Sequence, residues 1–577
     1  MKIINKIAGT ALALVFAGSS VFAQSLADAK KAIDAEQYQK AKSMLKNLTS
    51  TQADKDENYF YLGWVYLKQD YSDSAKAVFN KGIAVNPKSA LNYAGLGAVA
   101  HVDKDNANAT TNFNQAVTLA GKNSKPYLYV GLAYLLPLSG SNIGPNGPAI
   151  APADADAAIA VLNKGKVVNP KDAEILVALG DAYRSQLKST DAYNNYSAAL
   201  IIDPKSAAAD VAEGVLWRFA DNYEDSQKQF QAALAIDPNY GPAYREWAET
   251  DIRWARSDAA TYDAKVKAAV ENYKKYISLT DYSPESQMRY ADFLIDAKDY
   301  VTLQKVAADL TASAKTNLRA YRYLAYAAFE NKDYQSALTA MNKWVTQADP
   351  KRVIPNDYLY LGRIELALKQ DSLGVLHLRK ALALDTTQVD VVGEIAKSLY
   401  ASGKYIDAGD AYRVYAQKSR QAKLTDHFYE GFSYYQAYKD QLIKSQTDKT
   451  VKPDSTLLTK ADSAFTYVER KLPTPNPQII YFHANVKDYE DGDRNNIKGL
   501  AKPLFEQYIQ LITAKGAPDD KVKGNLAAAY VYLANYAEFK EKDPAKALDL
   551  YTKAKEMDPT NPQVVYYFAK KGQGKSK

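Results

Sequence analysis

Cysteine is absent from the 577-residue chain. That excludes disulfides, a thiol nucleophile and cysteine metal sites, and it removes the residue a bacterial lipoprotein anchor needs. Histidine is nearly absent: only His101, His377, His427 and His483 occur. None forms an HExxH run or a closely spaced ligand set, so each is read as structural or surface. No GxSxG elbow occurs, and no Ser, His and Asp arrangement stands out. Gly572-Gln573-Gly574-Lys575-Ser576 is a poor likeness of a phosphate loop, because Ala569 stands where the first glycine belongs and no strand precedes it. Neither catalysis, a cofactor nor a small-molecule substrate is expected.

Strong charge is lacking as well. The formal net charge is +7, and setting aside Lys2 and Lys6 leaves +5. Without a concentrated basic stripe, nucleic acid is not an expected partner. Long apolar runs are missing beyond the start of the chain. There, Lys2 and Lys6 flank the start of an apolar run reaching Phe16, and Val21-Phe22-Ala23 offers small residues where a signal peptidase reads. Residues 1–23 are read as a secretory signal peptide rather than a membrane span, because the run is short and no stop-transfer pattern follows. Cleavage near Ala23 would start the mature chain at Gln24 and send it to the periplasm or cell envelope, a destination compatible with a cysteine-free chain.

What is present is a period. In Tyr59 to Pro87, YFYLGWVYLKQDYSDSAKAVFNKGIAVNP, apolar and small residues recur at helical spacing, break at Gln69-Asp70-Tyr71, resume from Ala75 and stop at Asn86-Pro87. That pattern predicts a helical hairpin. The order Leu62-Gly63, Tyr66, Tyr71, Ala75, Phe79, Pro87 resembles the tetratricopeptide repeat (TPR), with two helices in roughly 34 residues. The resemblance implies that Gly63 and Ala75 sit where paired helices come closest, with Tyr66 and Phe79 filling the space beside them. One hairpin cannot bury its own apolar stripe, so neighbours above and below are expected.

Variants of the pattern recur along essentially all of the mature chain, in about 14 units. Gly97, Gly131, Gly180 with Tyr183, Gly214 and Gly362 occupy matching first-helix positions. The fold expected is all-α, a right-handed superhelical solenoid of antiparallel helix pairs. An N-terminal array over 24–280 carries a Pro- and Gly-rich insertion at 136–154, expected as a loop between paired helices. A C-terminal, partly degenerate array follows over 281–571. It carries a polar, loop-like insertion at about 440–456, and 572–577 reads as a frayed basic tail. Extra residues around Ala255 to Lys265, charged and alanine-rich, read as lengthened helices. Val564 to Lys571 reads as a short closing helix.

Tyrosine, at 45 residues against 16 Phe and 5 Trp, falls largely at helix-packing positions, where the default role is core. In the family that the chain resembles, each first helix lines the concave groove. The matching positions are Phe60, Trp64 and Leu67, then Leu128, Leu132 and Leu135, then Arg184, Arg218, Arg245, Arg322 and Arg363 with Asp181 and Glu249 among them, and finally Phe428, Phe432 and Tyr435. The groove would be apolar at both ends and arginine-bearing in the middle. Guanidinium groups suit carboxylates and peptide backbones, although each arginine has an alternative reading as the partner of an acid on an adjacent helix. Phe60 and Trp64 stand where the family's clamp for a C-terminal carboxylate has Lys and Asn, which argues against that use.

The leader and the Tyr-, Lys- and Asn-rich usage resemble exported proteins of the Bacteroidota. The functional expectation is a non-catalytic protein–protein interaction scaffold of the bacterial cell envelope, holding an envelope or outer-membrane protein or an extended peptide in its groove. The alternative is an outer-membrane-associated glycan-binding protein, which would need exposed coplanar aromatics.

Overall fold

The structure, a computed structural model, describes residues 25–573 except 139–142, 145–146, 149, 281–282, 313–316, 494–495 and 515. The expected signal peptide and residues 574–577 of the tail lie outside the described residues. Among the described residues there are 29 α-helices, and none is long and apolar enough to cross a membrane. Successive helices pack as antiparallel pairs, and within each of two compact units each pair stacks on the next, the all-α solenoid architecture of the TPR kind.

The chain divides into two compact units, the first ending at Thr316 and the second beginning at Asn317. In the first unit the pairs run from Leu26–Asp34 with Tyr38–Thr51 to Pro284–Asp296 with Tyr300–Ala312. In the second they run from Arg319–Glu330 with Tyr334–Gln347 to Asp520–Tyr536 with Pro544–Met557, and Pro562–Gln573 closes the stack. The division falls one pair later than the boundary after residue 280 read from the sequence. Motif residues thin out past Asp281, yet the pair that follows still packs backward: the Tyr273 ring lies 4.8 Å from Phe293 and 6.2 Å from Tyr290.

The turns explain the regular step. Inside a pair, the first helix ends in a residue of left-handed backbone, as at Glu36, Asp70, Lys104, Leu187, Asp221, Lys298, Lys332 and Lys369, and at Gly403 in the Ser402-Gly403-Lys404 turn. At Asp70 the flanking amides close a Schellman motif, with Tyr71 N–H donating to the Tyr66 carbonyl at 2.9 Å and Asp70 N–H to that of Leu67 at 3.1 Å. Between pairs, Asn86, Asn169, Asp203 and Asp237 end second helices in extended backbone. The proline after each forbids a further helical turn. Their side chains then accept the amide two residues on, at 2.9–3.2 Å.

Packing within a pair depends on small residues. A Cβ added to Gly63 would lie 2.4 Å from the Phe79 ring, and one added to Gly180 would lie 2.2 Å from the Tyr196 ring. Gly97 meets Phe113, Gly131 meets Leu162, Gly214 meets Phe230 and Gly362 meets Leu378 in the same way. Ala75 is fully buried. Tyr66 and Tyr183 are half-buried at the edges of this core.

Two irregular regions differ from each other. The first insertion leaves the helix Lys125–Tyr134 and rejoins at Pro152–Val168, with Ile143–Gly144 paired antiparallel to Gly147–Pro148. The second is shorter than the 440–456 loop read from sequence, because the helix Leu424–Thr447 runs on for 24 residues. Asp440 to Thr447 is polar but contains no glycine or proline, so nothing breaks the helix there. The lengthened pair is Gly241–Ser257 and Tyr262–Leu279, of 17 and 18 residues.

Candidate functional site

The inner-face positions divide by what surrounds them. At the start of the first unit, Phe60 and Trp64 on Asp56–Lys68 are buried, and so is Leu128 on Lys125–Tyr134; Leu132 is half-buried. The ring of Tyr129 reaches from the fourth pair to the second, lying 4.6 Å from Phe60, 5.8 Å from Tyr61 and 5.0 Å from Trp64. The helix between them, Ala90–Val102, is rich in alanine and glycine. Large rings on either side therefore meet over it, and this apolar end is core.

The arginines are held by acids of their own unit. Arg218 donates from Nη1 to Glu246 Oε2 at 2.8 Å, and Arg245 donates from Nε to Glu246 Oε1 at 3.0 Å. Burial alone would raise the Glu246 carboxyl, but Arg218 and Arg245 hold it down to about 2. Arg184 donates to Asp181 at 3.2 Å and to the Tyr196 hydroxyl at 3.2 Å. In the second unit, Arg363 grips Glu394 with two bonds of 2.6 and 2.9 Å. Arg322 donates at 2.9 Å to Asp357, a fully buried carboxylate that also accepts from the Tyr326 hydroxyl, the Trp344 indole and the Ile354 amide.

Glu246, Asp357 and Glu394 were not singled out in the sequence. A signal was there: each lies about one repeat downstream of its arginine, on the next first helix. A pair of opposite charges separated by the stacking period is the pattern to look for. Glu36, which Arg245 also holds, lies 209 residues away from it, and no local spacing announces that contact.

The remaining group is different. On Leu424–Thr447, Phe428, Phe432 and Tyr435 follow at i, i+4 and i+7 and so share one helix face. The Phe428 and Phe432 rings stack at 5.5 Å, and Phe482, on the neighbouring helix Pro477–Asp491, lies 4.6 Å from Phe432 and 6.0 Å from Tyr435. Tyr489 lies 5.9 Å from Tyr435. Phe428, Phe432, Phe482 and Tyr489 are half-buried, whereas Tyr435 is buried. Burial pushes the Tyr435 and Tyr438 hydroxyls up, so neither is a source of charge. The result is a partly exposed aromatic strip across two adjacent first helices. Beside it a hollow of about 580 Å³ is walled by Tyr400, Tyr412, Tyr415 and Tyr429, with Lys397 and Lys423 at its edge.

The histidines sit among their own neighbours. His101 lies against Tyr134, His377 pairs with Glu365 at 2.7 Å, His427 lies against Tyr467, and His483 bridges Asp462 at 2.7 Å and Glu469 at 2.9 Å. Among the described residues no group of three or more His, Asp or Glu side chains is arranged to hold a metal ion.

No protein-family model matches the chain, and no curated protein matches it. Solved structures do. The C-terminal part of a TPR repeat-containing protein from Cytophaga hutchinsonii is 25% identical over 48% of this chain and 97% of that one, with a TM-score of 0.33. PilF of Pseudomonas aeruginosa is 17% identical over 39% and 93%, with a TM-score of 0.31. YrrB, described as a TPR protein with an unusual peptide-binding site, is 18% identical over 34% and 95%, with a TM-score of 0.21.

Proposed function

We propose that the chain is a non-catalytic protein-interaction scaffold of the bacterial cell envelope, exported by the leader at 1–23, and that the aromatic strip of the second unit receives a partner segment. The observation that carries this reading is the half-exposure of Phe428, Phe432 and Phe482 on adjacent first helices. Rings like these gain about 25 cal/mol for each Å² that a partner removes from water, and aromatic side chains are enriched at interface centres. A partner presenting apolar side chains on one face of a helix or extended segment fits such a strip. The glycan alternative fits less well. The Phe428 and Phe432 rings stack on each other and Phe482 meets Phe432 at 55°, so they are not laid out as one flat platform.

The test is photo-crosslinking in cells. A photoreactive amino acid at Phe428 or Phe482 should trap a defined polypeptide, identified by mass spectrometry, that the same probe at the exposed Leu376 does not. Absence of any adduct specific to the strip would sink the assignment of the site. A mature protein that still carries Met1 would sink export.

A further inference from the structure

A stack of helix pairs needs only nearest-neighbour contacts to hold together, yet the first unit makes one that skips far along the chain. The turn between Leu26–Asp34 and Tyr38–Thr51 is seated on the seventh pair. Glu36, in left-handed backbone at φ 59°, accepts from Arg245 Nη1 at 2.6 Å and from the Tyr276 hydroxyl at 2.9 Å. The backbone matches the side chains: a Cβ on Gly241 would lie 3.0 Å from the Ala35 carbonyl oxygen and 2.7 Å from Thr280. Ala35 is buried in one apolar cluster with Tyr240 and Ala243. Burial alone would raise the Glu36 carboxyl, but Arg245, Lys68 and Tyr276 hold it below its usual range. Two side chains of the seventh pair thus converge on one carboxylate from the first. Arg245 is in turn tied through Glu246 to Arg218.

We propose that Glu36 is a latch: its carboxylate occupies in cis a recognition site built by Arg245 and Tyr276, closing the inner face of the first unit until an acidic partner segment displaces it. This rests on the scaffold reading and adds to it a second site, a ligand class and a control of access. The occupant is identified by charge complementarity, since a guanidinium and a hydroxyl both donate to a carboxylate there. A ligand that binds only the open form has its apparent affinity reduced by the fraction of open molecules, so removing the internal competitor should tighten binding.

The chain lacks cysteine, which makes a two-label distance measurement direct. Spin labels on Lys31→Cys and Lys274→Cys, both at exposed positions, should report one narrow distance in the full chain and a broad, longer distribution when Glu36→Gln is added. A hexaglutamate peptide is the probe ligand. Its affinity for the Glu36→Gln chain should exceed that for wild type at least tenfold, and Glu36→Gln with Arg245→Gln should lose the gain. An unchanged distance in a folded Glu36→Gln chain overturns the latch. A broadened distance with no gain in peptide affinity overturns the recognition site. Either failure leaves crosslinking at Phe428 unaffected, so it is distinct from failure of the scaffold reading.

Discussion

The side chain of Arg218 is only 5% exposed, and its guanidinium donates to the Glu246 carboxylate, 28 residues further on, at 2.8 Å. It therefore ties the sixth pair to the seventh. Removing one partner of a buried pair strands the other charge, and such losses run to about 3–5 kcal/mol. Arg218→Ala should lower stability by that order in urea unfolding followed by circular dichroism, whereas Lys274→Ala, at an exposed position, should change it by less than about 0.5 kcal/mol. Glu246 is held down to about 2, so its share of stability is present above its unfolded value near 4.5 and is lost as pH falls toward 2. An Arg218→Ala chain as stable as wild type would mean that the pair is idle.

Gly63 and Phe79 test the packing register. A methyl at Gly63 would overlap a ring that has no exposed edge to retreat to. Gly63→Ala should cost about 1–3 kcal/mol. Shrinking the ring with Phe79→Leu in the same chain should recover part of that, giving a coupling of about 0.5–3 kcal/mol in a double-mutant cycle. Strict additivity would place the two side chains apart.

How much of this was legible in the sequence follows from what each contact depends on. Helix pairs, turns and the Gly63–Phe79 and Gly180–Tyr196 contacts are set within about one repeat, and local spacing reveals them. Arg218, Arg245, Arg322 and Arg363 stand out as inner-face residues because arginine is sparse and periodic here, but their occupation by Glu246, Asp357 and Glu394 follows only once adjacent repeats are stacked. Polar Asp440 to Thr447 looked like a loop because polarity does not distinguish an exposed helix extension from a turn. Glu36 with Arg245 was out of reach: it depends on the summed rotation over seven pairs, which no window contains.

Leu187 offers a gain in stability. It is 86% exposed and sits at φ 59°, in the left-handed backbone of an intra-pair turn. A Cβ in that conformation costs about 1–2 kcal/mol, which glycine avoids. Because glycine also loosens the unfolded chain, Leu187→Gly should stabilise by somewhat less, about 0.5–1 kcal/mol. A drop in melting temperature would show that the side chain contributes packing which outweighs the backbone relief.

Two buried groups in the second unit should make it less stable as pH rises. Burial pushes Glu430 up to about 7, with Asp410 adding to the rise and Arg413 opposing it; His427 lies 3.5 Å away on the same helix. A carboxyl raised in the folded state holds a proton that the unfolded chain has released, so stability falls between about pH 4.5 and 7. His483 is also raised: burial opposes its charge, but Glu469 and Asp462 on the preceding helix outweigh burial, with Lys487 sharing Asp462. Its contribution is full below about pH 6.5 and fades as pH climbs through the raised value. Glu430→Gln, neutral at every pH, should match wild type near pH 4 and exceed it at pH 8, on the order of 3 kcal/mol at most. His483→Gln should be less stable than wild type at pH 5.5, and the deficit should shrink at pH 9. Urea midpoints across pH 4–9 decide both: a Glu430→Gln chain that tracks wild type throughout would place that carboxyl in water, and a His483→Gln deficit independent of pH would mean that the imidazole contributes shape rather than charge.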